Sequence, residues 1–89
     1  MKNVSKEKIK ELIEFPVIYT FKVIGMNSDN FVSSVEAIFS QKEILSLKRE
    51  KSRSNKYISY TIVIEILNEE ELIAYYEKIK NIEDAKFFL

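Results

Sequence analysis

The chain has no cysteine and no histidine, and its 89 residues include a single glycine and a single proline. The first absence removes disulfides and thiol catalysis, and the second removes imidazole acid–base chemistry. Together they remove the zinc sites that those ligands build. A cysteine-free composition suits a reducing cytosol. With so little glycine and proline there is scant room for flexible linkers, and no repeat or low-complexity tract is present. Fourteen Lys and Arg cancel fourteen Asp and Glu, so no net field draws the chain to nucleic acid or to a membrane surface. No apolar run follows the basic start MKNVSKEKIK, and the longest apolar stretches are too short to span a bilayer. These features predict a soluble cytoplasmic protein with one core.

What the sequence has in abundance is alternation. From Tyr57 to Leu67 the even positions Ile58, Tyr60, Ile62, Ile64 and Ile66 are large and mostly apolar, while the odd positions include Ser59, Thr61 and Glu65. β-branched and aromatic residues with a period of two fit a pleated central strand, with one face in a core and one in a wetter setting.

The remaining elements follow in order. Ser5 can cap a short charged helix over residues 4–14, with Ile9, Leu12 and Ile13 on one face, and Phe15-Pro16 stops it. Val17 to Ile24 reads as a strand in which Lys22 points out, so Tyr19, Phe21 and Val23 point in. Gly25 is expected to end it. Phe31, Val35, Ile38 and Phe39 have helical spacing and predict a helix over 29–41. Residues 44–51 read as an edge strand guarded by charge, with Leu45 and Leu47 inward. A polar turn at 52–55, in which Asn55 tolerates positive φ, leads into the central strand as a hairpin. Asn68 caps a second helix whose first turn is Glu69, Glu70 and Glu71. Glu71 approximates a capping box, Leu67 and Leu72 have staple spacing, and Leu72, Tyr75, Tyr76 and Ile79 form the apolar stripe. A last strand, 82–89, places Ala85, Phe87 and Leu89 inward and Lys86 and Phe88 outward.

Leaving aside the first helix, the order is βαββαβ. It predicts an α+β, ferredoxin-like fold: a four-stranded antiparallel sheet with two helices on one face, the other face open. Phe15-Pro16, then Lys22-Val23-Ile24-Gly25, Ser52 ahead of Lys56-Tyr57 and Ser59, Tyr76, and the terminal Lys86-Phe87-Phe88-Leu89 resemble the YbeD-like family of small bacterial proteins. The likeness runs from about Leu12 to the last residue. Asn55 departs from it, standing where the family usually has glycine, but asparagine also accepts a left-handed conformation. The resemblance implies a ferredoxin-like domain over 15–89, similar to the small-molecule-sensing ACT regulatory domains, behind an N-terminal helical extension over 1–14.

For function, the sequence offers no phosphate loop, no metal-ligand spacing and no nucleophile beside a base, which argues against an enzyme and against a bound cofactor or metal. Glu69 to Glu71 read as a helix N-terminus complementing its dipole. The RNA-recognition motif shares the element order, but the outward set of the first strand, Ile18, Thr20, Lys22 and Ile24, has no aromatic for base stacking. Two surfaces stand out as candidates. The open sheet face, with Ile18, Lys22, Ile24, Tyr57, Ser59, Thr61, Val63 and Phe88, is too apolar for water alone and points to a docking surface. Its occupant would be a second copy, a protein partner or the N-terminal helix. The turn holding Ser52, Arg53 and Lys56 is the candidate anion site, for a small carboxylate or phosphate. The expected function is a non-catalytic regulatory or ligand-sensing module, with a protein-interaction adaptor or homodimerising domain as the alternative.

Overall fold

The computed structural model describes residues 13–88. The helical extension expected over 1–14 falls outside that range except for Ile13 and Glu14, which are not helical. The elements are β1 (Val17–Met26), α1 (Asp29–Phe39), β2 (Ser46–Lys51), β3 (Tyr57–Ile66), α2 (Glu69–Lys80) and β4 (Ala85–Phe88). The strands form one four-stranded sheet in the order β2-β3-β1-β4, with every pairing antiparallel. This is the expected ferredoxin-like arrangement.

Alternation in the two central strands decides where the core lies. In β3 all five even residues are buried, and opposite them Phe21 and Val23 of β1 are fully enclosed. Both helices lay their apolar stripes on this face. The Phe21 ring lies 5.4 Å from Phe39 of α1 and 5.6 Å and 5.2 Å from Tyr75 and Tyr76 of α2 (centroid separations). Tyr75 and Phe39 stack at 5.2 Å, joining the helices directly. Tyr76 is half-buried, and its hydroxyl meets that of Tyr19 at 2.8 Å. Burial, followed by that hydrogen bond, pushes the Tyr76 phenol well above its ordinary range.

The helix starts are fixed by side chains. Ser28 Oγ accepts the Phe31 N–H at 3.1 Å and donates to Asp84 Oδ2 at 2.7 Å, tying the start of α1 to the approach to β4. Asn68 Oδ1 accepts the Glu71 N–H at 2.9 Å. Glu71 Oε1 accepts the Leu67 N–H at 2.8 Å, so the reciprocal bond of the box reaches one residue further back than the cap. Leu67, expected to staple onto Leu72, is 54% exposed. At the β2–β3 turn Asn55 adopts φ 61°, the left-handed conformation expected of it.

Three expectations are corrected. Gly25 does not end β1 but lies inside it, buried. The reason is close approach: a Cβ there would sit 2.3 Å and 2.5 Å from ring carbons of Phe31 and 2.7 Å from the Asp84 carbonyl. Leu45 does not point inward. β2 begins only at Ser46, and before it the chain reverses parity. Ile44 joins Leu47 above Val35 and Phe39 on the helix side, while Leu45 joins Ile18 and Glu65 on the open side. Phe88 does not point outward. The register of β4 against β1 shifts between Ile24 and Gly25, so Phe88 pairs with Val23 and packs on Tyr76 at 6.1 Å. One extra residue in a bulge exchanges the faces of everything beyond it.

Two substitutions test this packing. Gly25→Ala should lower unfolding stability by about 1–3 kcal/mol, because Phe31 and the Asp84 carbonyl must move; chemical denaturation measures it. Ile62→Asp should leave no cooperative transition, since an unpaired buried charge costs roughly 3–5 kcal/mol, a large part of a small domain's stability.

Candidate functional site

The odd-numbered residues of β3 and the even-numbered residues of β1 and β2 make the face that, among the described residues, neither helix covers. The pairing sets them in rows across the sheet: Ser46, Val63 and Thr20; then Lys48, Thr61 and Lys22; then Glu50, Ser59 and Ile24. Ile18 and Glu65 adjoin at one end, Tyr57 and Met26 at the other. Seven of the eight residues expected on this face are therefore brought together, and Phe88 is the one removed.

The centre of the face is hydroxylic and basic, and its ends are apolar. At the end nearest α2 the large side chains of Ile18, Leu45 and Leu67 are 57%, 50% and 54% exposed. With Gln41, Lys42 and Glu65 they line an open concavity of about 380 Å³. At the other end Ile24, Tyr57 and Ser59 line a shallower hollow of about 240 Å³ together with Glu50, Lys51 and Ser52. In the middle, Lys48 is held by Glu50 at 3.0 Å, while Lys22 makes no ion pair among the described residues.

Leu45, Leu67 and Lys42 belong to this surface but were not among the residues singled out from sequence. Leu67 continues the outward parity of 57, 59, 61, 63 and 65, and that signal was available. Leu45 reaches the face only through the reversal before β2. Lys42 arrives from the α1–β2 connection. Its Nζ donates to the Glu65 carbonyl and to Glu71 Oε1 at 2.7 Å, with both side chains largely withdrawn from solvent. Burial pushes the Glu71 carboxyl up, but the Lys42 hydrogen bond, the Leu67 amide and the Lys42 charge outweigh it and hold the group below its ordinary value. This ion pair anchors the rim of the larger concavity.

The three acidic residues that open α2 differ in role. Glu71 is the cap and anchor. Glu69 is only 7% exposed, and its Oε2 has no hydrogen-bond partner among the described residues. The positive end of the helix dipole is the compensation its position offers.

In the turn after β2 the groups proposed to hold an anion are partly occupied by the turn itself. Ser52 Oγ accepts the Tyr57 N–H at 3.0 Å, Ser54 Oγ accepts the Lys56 N–H at 3.3 Å, and the Asn55 N–H is bonded to the Ser52 carbonyl at 2.9 Å. The Lys56 ammonium lies 5.6 Å from the centre of the Tyr57 ring. The turn thus presents exposed cations, Arg53 and Lys56, rather than a nest of amides. Among the described residues no acidic cluster could hold a metal, and no helix is long and apolar enough to cross a membrane.

Residues 10–89 match the family described as protein of unknown function DUF493. The chain belongs to that family. It is 31% identical over 86 residues to a UPF0250 protein of Erwinia tasmaniensis, covering 94% of this chain and 99% of that one. It is 32% identical over 69 residues to a UPF0250 protein of Haemophilus ducreyi, covering 78% and 71%. The YbeD-like resemblance read from Phe15-Pro16 through the terminal Lys86-Phe87-Phe88-Leu89 is thereby established. Among solved structures the fold is similar to the ACT domain from the GTP pyrophosphokinase of Chlorobium tepidum, with TM-score 0.70 at 9% identity over 81% of this chain and 94% of that one. It is also similar to protein HP0495 from H. pylori, with TM-score 0.66 at 20% identity over 100% and 98%. These likenesses establish an ACT-like fold for this DUF493 member.

Lys42→Ala should cost about 1–2 kcal/mol near neutrality, the worth of a charge-assisted hydrogen bond partly shielded from water. The Glu71 carboxyl is held below its unfolded value, so its stabilisation is complete above the ordinary carboxylate range and is lost as pH falls through the folded value. Urea titrations from neutrality to about pH 3 should therefore show the gap between wild type and Lys42→Ala closing on the acid side.

Proposed function

We propose that the protein is a non-catalytic binding module of regulatory type that acts on a partner protein through its open sheet face. The observation that carries this reading is the exposure of Ile18, Leu45 and Leu67 together at one end of that face. Half-exposed large apolar side chains grouped on one surface and rimmed by Lys42 and Glu65 have the make-up of an interface centre with a polar border. The ACT-like fold is consistent with a regulatory role, since the ACT domain it resembles is a part of a larger enzyme.

A second reading, a small carboxylate metabolite as ligand, is favoured by one feature. Lys22 and Lys48 flank the Thr61 hydroxyl in a single cross-strand row, so two ammonium groups and a hydroxyl face the same solvent.

Ile18→Asp and Leu45→Asp separate the readings. Both sites are exposed, so the domain should stay folded, with a loss of up to about 1 kcal/mol for Ile18→Asp, which faces Glu65, and less for Leu45→Asp. Cross-linking from the sheet face in the source cell should trap a discrete protein with the wild type and lose it with either variant. A thermal-shift screen of small carboxylates addresses the second reading, because a ligand that binds only the folded state must raise the melting temperature. A shift abolished by Lys22→Ala, with trapping unaffected by the aspartates, would replace the first reading with the second.

A further inference from the structure

β2 is an edge strand: among the described residues β3 is its sole neighbour in the sheet, and all six of its residues are exposed. Which backbone groups it leaves unpaired follows from the register. Ser52 N–H donates to the Tyr57 carbonyl at 2.9 Å, and antiparallel bonding alternates from that pair, so Ser46, Lys48 and Glu50 turn their amides and carbonyls toward β3. Leu47, Arg49 and Lys51 turn theirs outward.

We infer that β2 pairs antiparallel with β2 of a second copy, in the register that sets Arg49 opposite Arg49 across a two-fold axis and joins two sheets edge to edge. Charge selects this register. It places Lys48 opposite Glu50 of the other copy, twice, on the open face, where each copy already holds Lys48 to Glu50 at 3.0 Å. A shift of two residues sets Lys48 opposite Lys48 instead. A shift of four sets Leu47 opposite itself and leaves Lys51 beyond the strand. The register centred on Arg49 also uses all the outward amides and carbonyls, from Leu47 to Lys51. The two arginines at the axis are each neutralised locally, since Arg49 Nη1 is 3.6 Å from Glu36 Oε2.

The helix side of the edge supplies the apolar part of the contact. Ile44 and Leu47 are 40% and 54% exposed, above a small hollow floored by Val35, Phe39, Tyr60 and Ile62. The register sets Lys51 of the second copy opposite Leu47, where its methylene stem covers that leucine while its ammonium stays in water. Mixed charge on an edge strand ordinarily discourages pairing; here the order Lys48-Arg49-Glu50 makes the edge complementary to itself. The contact shares Lys48 and Glu50 with the margin of the open face but does not use Ile18, Leu45 or Leu67 at its apolar end, so either assignment can fail alone.

A contact of this size predicts a weak dimer, with a dissociation constant of roughly 10 µM to 1 mM. Sedimentation equilibrium of the full chain across that range should show a monomer–dimer equilibrium that weakens with salt. Glu50→Lys should raise the dissociation constant about tenfold or more by setting like charges opposite each other. Adding Lys48→Glu to that variant should restore dimerisation. Arg49→Pro should abolish it while retaining the fold, because the amide it removes points away from β3. Amide exchange at Leu47, Arg49 and Lys51 should slow as concentration rises. A chain that stays monomeric up to about 1 mM, a dimer in which those amides stay unprotected, or a double variant that does not recover overturns the inference.

Discussion

The Phe21 ring is the contact on which the two layers depend. It sits mid-way along β1, fully buried, and meets rings from both helices within 6 Å. Phe21, Phe39 and Tyr75 each meet the other two, so β1, α1 and α2 converge in one cluster of three rings. Aromatic pairs in tilted geometry add to the stabilisation that buried area already gives. The adjoining Phe39–Tyr75 stack carries the same cluster across the helix–helix boundary. Phe31 and the Asp84 carbonyl approach β1 so closely that Gly25 must lack a side chain.

With the core committed to one face, everything β3 presents on its odd positions is left to other uses. Thr61 lies between Lys48 and Lys22, Ser59 between Glu50 and Ile24, and Val63 between Ser46 and Thr20. This face has an apolar end, made by Ile18, Leu45 and Leu67, with a polar rim. The Lys42–Glu71 pair provides that rim, joining the α1–β2 connection to the start of α2. The same carboxylate caps α2 through the Leu67 amide. One side chain thus serves helix start and surface together.

Most of the fold was legible because it rests on local patterns. The alternation in β3, the outward Lys22, the stripes of Phe31, Val35 and Phe39 and of Leu72, Tyr75 and Ile79, and the Asn68 cap all depend on neighbours a few residues away. The make-up of the candidate face was legible for the same reason. Ile18, Lys22, Ile24, Tyr57, Ser59, Thr61 and Val63 share a face because strand parity says so. The misplacements occur where parity is interrupted. Leu45 was put inward and Phe88 outward on uninterrupted alternation, and in both cases an irregular residue at a strand end reverses the face.

The sequence by itself determined the element order, the composition of the core and the lack of thiol and imidazole chemistry, since each follows from residue identity and short-range spacing. Tertiary structure alone decided which apolar residues end up together on the outside. Ile18, Leu45 and Leu67 come from three separate stretches and meet only after β1 and β3 pair and the chain turns over before β2.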